Sequence, residues 1–328
     1  MEKHLAHNLF LTEALKIADP DQPFWYTSGK LGPFFINTHY LFGSAAEAGV
    51  LLQKIEKFCQ EEPETMPSKI TALCLEQYEQ EPIYRSVIDA AIEAFKNPAA
   101  DTDFISGGER RDFFFSLPLA AILNKPHLSC FKDGRTFYSE PGQQAVEIAT
   151  NEDSVPPEQQ DASGTRPNSI CGSSPWEKQQ PAPDKQSCNI RESAPLQGQQ
   201  ALHIADIITV ASSFFRNWIP QIERTGARLK HAAAILDRGQ GGRERLATAG
   251  TTLTVLGTTD AAFFARAVEL DQISPRQAEL CLAFLRDPDQ YMADFLKEHP
   301  GFIAAEINKG GKNKERAQLA LEMGYAQL

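Results

Sequence analysis

Apolar and polar positions change their period several times along the chain, and the changes divide it. Leu5, Leu9, Leu11, Leu15 and Ile17 recur at a partly helical spacing. FWYTSGKLGPFF (24–35) follows, broken by Gly29, Gly32 and Pro33. A helix is expected over 44–59. ITALCLEQY (70–78) fits strand or helix, and 82–97 reads as a helix with Pro82 at a start position. From 103 the rhythm becomes strand, glycine turn, helix. DFIS (103–106) is a short strand, GGERR the turn, and FFFSLPLAAILNK a helix that Pro118 would kink or delay. HLSCF (127–131) is the next strand, closed by Lys132-Asp133-Gly134.

Residues 139–200 break the rhythm. They hold 8 Pro, 10 Gln and 8 Ser in 62 residues, with few apolar clusters. So little apolar surface does not offset ordering entropy, so a disordered insertion is expected; an ordered irregular loop is the alternative.

The alternation then resumes. ALHIADII (201–208), LKHAAAILD (229–237) and TLTVLGT (252–258) read as strands. Between them lie a helix over 212–226, with serine caps, a glycine stop and Pro220 inside, and a glycine turn with a short helix over 238–250. Residues 260–328 carry no strand signal and read as helical, broken at Pro300-Gly301, with a basic-glycine stretch at 308–316. No internal repeat is visible. The pattern predicts an α/β protein, a parallel sheet flanked by helices, with a helical C-terminal extension.

Composition narrows the function classes. The 328 residues suffice for about two domains, and 43 acids against 32 bases give a net charge of −11. That field repels phosphodiesters and anionic lipid, so an anionic ligand needs a local site. No apolar run approaches the ~18 residues of a membrane span, and the opening MEKHLAHNLF lacks the look of a secretory leader. The six cysteines (59, 74, 130, 171, 188, 281) form no C-x-x-C pair and read as reduced thiols of a cytoplasmic protein.

Three segments place polar groups where α/β sheets bind ligands, at the carboxyl ends of strands. HIADIITVASS (203–213) ends a strand in Asp206 and continues through Thr209, Ala211, Ser212 and Ser213 into a helix. Small residues there let main-chain N–H groups approach a phosphate, with Asp206 free to take ribose hydroxyls; a serine-capped turn is the plainer reading. ISGGERRDFFF (105–115) offers Gly107 and Gly108 for unusual backbone angles, and Arg110 and Arg111 for a diphosphate, or else is a solvated basic turn. LDRGQGGRERL (236–246) presents Arg238 as a planar fork for a carboxylate or imide edge, or pairs Asp237 with Arg238 at the surface.

In this order the segments resemble orotate phosphoribosyltransferases, of the type I phosphoribosyltransferase fold. The resemblance covers roughly 20–260 and adds the aromatic–Ser-Gly–basic–Pro-aromatic opening FWYTSGKLGPFFIN (24–37). LDRGQGGRERLATAG (236–250) is its most specific part. It implies a hood and the first half of the catalytic domain in 1–138, the second half in 201–259, with the insertion (139–200) and the tail (260–328) outside its pattern. It further implies that Asp206 binds the ribose of phosphoribosyl pyrophosphate and that Thr209, Ala211, Ser212 and Ser213 line the 5′-phosphate loop. Arg238 would hold the orotate ring, Phe34 and Phe35 would pack beside it, and Lys30 would lie nearby. Mg²⁺ would arrive on the diphosphate with no direct protein ligand, Asp206 excepted, and the chain would be a homodimer.

The sequence departs from the pattern where Ala205 stands for the first of two acids, and where Val210-Ala211-Ser212 replaces a glycine-bearing step. The lysine-rich catalytic loop becomes FKDGRTFYSE (131–140), leaving Lys132 and Arg135 as candidate catalytic cations. The implied activity is transfer of ribose 5-phosphate to a pyrimidine base, orotate to orotidine 5′-phosphate, in UMP biosynthesis. The alternative is a non-catalytic relative that senses a phosphoribosyl compound or nucleotide. Nucleic acid and membrane are not expected as partners, because the basic stretch at 308–316 is small on an acidic chain.

Overall fold

A computed structural model describes residues 2–148 and 196–326. The chain opens with helix α1 (Glu2–Leu11), which buries Leu5 and Leu9. The helical spacing does not run on to Ile17. Glu13 takes a left-handed φ of 56°, and Leu15 and Ile17 instead form strand β1 (Leu15–Ile17), with Lys16 exposed between them. The aromatic opening folds into β2 (Phe24–Trp25), β3 (Leu31–Gly32) and β4 (Phe34–Ile36), with β2 against β3 and β4 against β1. A 3₁₀ turn (Thr38–Phe42) leads into three long helices, α2 (Ala45–Glu61), α3 (Met66–Gln80) and α4 (Pro82–Ala100). The ambiguous 70–78 belongs to α3, because Met66, Ile70 and Cys74 are buried at intervals of four, a helical stripe.

The main sheet then forms. Its strands are β5 (Phe104–Gly108), β6 (His127–Cys130), β7 (Thr136–Ser139), β8 (Val146–Glu147), β9 (Gln200–Ile208), β10 (Arg228–Asp237) and β11 (Thr252–Thr258). Their spatial order is β11-β10-β9-β5-β6-β7-β8. Five strands run parallel, and β7 and β8 close one edge antiparallel, so the sheet is mixed. The expected insertion therefore begins later than 139: Ala145 and Ile148 are buried beside the β7–β8 hairpin, and Leu196 is buried before β9. Averaging composition over 139–200 hides those apolar ends. Residues 149–195 of that expectation lie outside the described residues.

Alternation along the central strands builds two cores. Ile105, Leu202, Ile204, Ala233 and Ile235 face the helices of the first hundred residues and α5 (Phe113–Ile122). Phe104, Ala201, Ala205, Ala232 and Ala234 face Phe214, Trp218 and Leu246. Both faces are covered, so these strands read as apolar runs. The helix expected over 212–226 is a wide π-type turn (Phe214–Trp218) running into α6 (Ile219–Arg224). Pro220 has no N–H to give the usual i→i−4 bond, and the turn widens before it. The short helix α7 (Gly242–Thr248) precedes β11.

The tail is helical throughout its described part. α8 (Ala261–Glu269), α9 (Pro275–Arg286) and α10 (Pro288–Glu298) start on Asp260, Ser274 and Asp287, whose side chains accept from their first-turn N–H groups. α11 (Phe302–Lys309) follows the Pro300-Gly301 break, and α12 (Gly311–Glu322) follows Gly310. These helices pack on the aromatic opening. Trp25 and Leu31 share a core with Met292, Phe295, Ile303, Ala317 and Ala320. No helix among the described residues is long and apolar enough to cross a membrane.

Candidate functional site

β5 and β9 are paired from Phe104 and Ala201 to Ser106 and His203. Each then stays with its outer neighbour, β5 with β6 as far as Gly108 and β9 with β10 as far as Ile208. The sheet forks between them at their carboxyl ends, where ligands bind in open α/β sheets. A cleft of about 500 Å³ occupies the fork, lined by the 109–112 turn, Lys132, and the 205–214 segment with Trp218.

Asp206, Thr209, Ala211, Ser212, Ser213, Arg110, Arg111 and Lys132 all line this cleft. Ala211 takes φ 55°, the left-handed conformation that glycine would adopt more readily, so the turn keeps its shape without a glycine. Ser213 stands at the start of the π-type turn without capping it, which corrects the serine-cap reading there. Val210 and Ser213 are exposed, Thr209 and Ser212 half-buried.

Gly107 and Gly108 have another use than the expected one. Neither has a positive φ. A Cβ on Gly107 would sit 2.0 Å from Ser116 Oγ, and one on Gly108 2.3 Å from the Trp218 ring. They are glycines because α5 and Trp218 pack directly on their main chain. Arg110 is ion-paired with Glu56, while Arg111 makes no ion pair among the described residues. The Glu109–Arg110 peptide is cis.

Lys132 and Arg135 part company. The β6–β7 turn is tight, with Phe131 and Arg135 bonded main chain to main chain and Asp133 accepting the Arg135 N–H. Lys132 is exposed at the cleft, its own N–H given to Glu109. Arg135 turns away: it pairs with Asp133, donates to the Cys59 carbonyl, and lies over the rings of Phe131 and Phe137. It is absent from the cleft lining, against expectation, because two rings and an adjacent acid hold it on the opposite side of the turn.

Asp206 is only 6% exposed, and its Oδ2 accepts from the Thr38 hydroxyl at 2.7 Å. Burial, then the charge of Asp112, pushes its carboxyl up to about 7, against the pull of Thr38 and Arg111. Asp112 was not singled out from the sequence. It is buried, accepts from the Asp206 N–H at 2.9 Å and the Gly108 N–H at 3.1 Å, and lies 3.5 Å from His203 Nε2. His203 Nδ1 in turn meets Ser106 Oγ at 3.0 Å. An acid just ahead of the apolar run FFF was a visible signal, but it suggests a helix cap, a bond Asp112 does not make. Thr38 had no local signal, being 168 residues from its partner. His39 beside it is held down at about 3 by burial and by Arg111 and Arg110.

The expected base side is differently built. Arg238 is half-buried with its guanidinium 5.4 Å from the centre of the Phe34 ring, and its buried Nε has no hydrogen-bond partner. Asp237 does not pair with it at the surface. It is buried and accepts from the Gly239 N–H at 2.9 Å, shaping the glycine turn. Tyr26 lies close by; burial raises its hydroxyl to about 12 although the Arg238 charge opposes this. Phe34 is fully buried, its ring against Phe264 of α8 and Phe284 of α9. Phe35 is half-buried against Phe24 and Tyr26. Lys30 does not reach toward Arg238; it pairs with Asp289 of α10 at 2.5 Å and lies over the Tyr325 ring. Gly29 is pressed against α12, within about 3.2 Å of Leu319 and Ala320 at its missing Cβ. No local signal in either segment marks this contact between the tail and the 24–35 loop.

Among the described residues no three His, Cys, Asp or Glu side chains converge as a metal site. Asp206 shares the cleft with Asp112 and Glu109, and one of its two carboxyl oxygens is taken by the Thr38 hydroxyl.

No protein-family model matches the chain, and no curated protein sequence matches it. Solved structures do. UMP synthase from Leishmania donovani aligns over 86% of this chain and 42% of its own, at 12% identity and a TM-score of 0.45. The orotate phosphoribosyltransferase of Aeropyrum pernix aligns over 81% of this chain and 99% of its own, at 16% identity and TM-score 0.43. An adenine phosphoribosyltransferase from Thermoanaerobacter pseudethanolicus aligns over 56% and 85%, at 16% identity and TM-score 0.34. This chain thus spans less than half the length of the Leishmania protein.

Proposed function

We propose that the chain is a phosphoribosyltransferase that takes phosphoribosyl pyrophosphate in the fork between β5 and β9, and a pyrimidine base such as orotate near Arg238. The carrying observation is that a left-handed main-chain turn at Ala211, with Ser212 and Ser213, faces Arg111 and Lys132 across one cleft. Turns of this kind aim N–H groups at an anion, and the two cations supply charge that the acidic chain as a whole does not. The 5′-phosphate would rest on 209–213 and the diphosphate against Arg111 and Lys132.

In the reaction the bond from C1 of the ribose to the diphosphate oxygen breaks, a bond from C1 to the base nitrogen forms, and that nitrogen's proton passes to the departing diphosphate or to water. The residues act by alignment and by stabilising the charge on the leaving diphosphate, which needs no side-chain nucleophile. Mg²⁺ would come bound to the diphosphate and neutralise it, with Asp206 facing the ribose hydroxyls. Arg238 would meet the base's carboxylate or imide edge. A homodimer belongs to the same reading.

The second reading, a sensor of phosphoribosyl compounds, is favoured by the base side. Lys30 is tied to Asp289, and Phe34 is covered by Phe264 and Phe284. Pyrophosphate release from phosphoribosyl pyrophosphate with Mg²⁺ and orotate separates the two. Release dependent on orotate supports the enzyme. Saturable binding of the sugar diphosphate without release supports the sensor, and no binding contradicts both.

A further inference from the structure

The fork between β5 and β9 needs something at its root. Strands that separate leave main-chain N–H groups without ladder partners, and buried N–H groups are costly to leave unpaired. Past Ser106 and His203 the two strands no longer bond to each other. The groups freed on the two sides include the N–H of Gly108 and the N–H of Asp206. Both are taken by a single side chain, Asp112, one by each carboxylate oxygen. Asp112 stands at the head of α5, yet its side chain caps nothing in that helix. His203 lies behind it, its Nε2 at 3.5 Å, and is itself held by Ser106 at the last paired position of the ladder.

We propose that Asp112 is the positioning residue of the cleft: its carboxylate bridges the main chains of Gly108 and Asp206 and so sets the spacing between the two ligand-binding turns. One turn, 109–111, continues from Gly108, and the other, 207–213, continues from Asp206. A side chain one methylene longer or lacking an acceptor changes that spacing. That the ligand is a sugar diphosphate rests on the functional reading above; the bridge itself does not.

The bridge has an electrostatic consequence for Asp206. The groups facing the Asp206 carboxyl are Asp112 at the head of α5, Arg111 in the turn before it, and Thr38 in the 3₁₀ turn, while His203 on β9 bears on Asp112. Asp112 is the one acid among them, and its charge helps keep Asp206 protonated up to about neutral pH. Removing the charge lowers the Asp206 midpoint, and keeping the charge while changing the reach does not.

The test uses the full chain as wild type, Asp112→Asn and Asp112→Glu. Affinity for phosphoribosyl pyrophosphate with Mg²⁺ is read by calorimetry, and the Asp206 carboxyl by carbon-detected NMR titration. Both variants are expected to bind at least tenfold more weakly. The Asp206 midpoint is expected to fall by about one pH unit or more in Asp112→Asn and to hold in Asp112→Glu, a split that general loosening of the fold does not produce. Wild-type affinity in Asp112→Glu overturns the proposal, because charge without reach then suffices. If neither variant folds, wild type decides. The amide hydrogens of Gly108 and Asp206 should both resist exchange; exchange of either at the rate of exposed loop amides overturns it. A wild type that binds no phosphoribosyl pyrophosphate removes the functional reading, and the amide signals then decide the bridge alone.

Discussion

The two sides of the expected site differ in what their polar groups already hold. On the cleft side, Arg111, Lys132, Ser212 and Ser213 line an open space of about 500 Å³, and the acids beneath them are fixed by main-chain and hydroxyl bonds. On the expected base side, Lys30 is bonded to Asp289, the Trp25 indole donates to Glu306 at 2.8 Å, and Phe34 is packed under two tail rings. The same chain thus keeps one side of the expected site open while its own C-terminal helices engage the other. Sugar-diphosphate binding and base binding should therefore separate under mutation.

The largest effect is expected from Gly108→Ala. Its Cβ would meet the Trp218 ring, itself 4% exposed and packed, and overpacking of this kind costs about 3 kcal/mol. Chemical denaturation should show the loss; stability equal to wild type would mean that Trp218 does not rest on the β5 main chain. Next is Asp206→Asn, which above pH 7, where the carboxyl is ionised, removes a charge-assisted acceptor from the proposed ribose site and should weaken phosphoribosyl pyrophosphate by about 1.5–3 kcal/mol. Unchanged calorimetric curves would mean that Asp206 serves the fold alone.

The same variant carries a pH prediction. The folded chain holds the Asp206 proton to about 7, against an ordinary 3.8. A raised folded value contributes stability that is present at low pH and is lost as pH rises through about 7. Asparagine stays neutral throughout, so Asp206→Asn should melt above wild type at pH 8 and lose that advantage toward pH 4. Equal melting curves at pH 8 would show that the buried carboxyl is not penalised.

On the expected base side, Arg238→Lys should weaken orotate or its nucleotide by at least tenfold, about 1.4 kcal/mol, and leave the sugar diphosphate nearly untouched, because lysine lacks the planar fork. Parallel losses for both ligands would erase the distinction between the two sides. The smallest effect is expected from Lys30→Met. Its partner Asp289 is 70% exposed, and exposed pairs are worth under ~1 kcal/mol. A large loss of orotate affinity in this variant would show that Lys30 leaves Asp289 for the base.

Much of the fold was legible because its signals are local. The alternation of apolar strands with glycine turns located β5, β6, β9, β10 and β11, and the Ser274-Pro275 and Asp287-Pro288 pairs mark helix starts in the tail. What escaped depends on distance. Leu15 and Ile17 looked helical because their pairing partners, Ile36 and Phe34, lie some twenty residues on. Ala211 looked like the loss of a glycine, yet the turn holds it at φ 55°. The site was half legible: the 203–213 and 109–111 turns announce themselves by small and basic residues. Asp112, Thr38 and the tail's hold on Lys30 become visible only when the chain brings together residues 94, 168 and 259 positions apart.

The most direct test of the cleft assignment is calorimetric titration of phosphoribosyl pyrophosphate with Mg²⁺ into wild type, Arg111→Ala and Lys30→Met under one set of conditions. Saturable one-to-one binding is expected in wild type, with at least a tenfold loss in Arg111→Ala and less than a threefold change in Lys30→Met. No saturable heat in wild type, or equal affinity in wild type and Arg111→Ala, would contradict the assignment of the sugar diphosphate to the fork between β5 and β9.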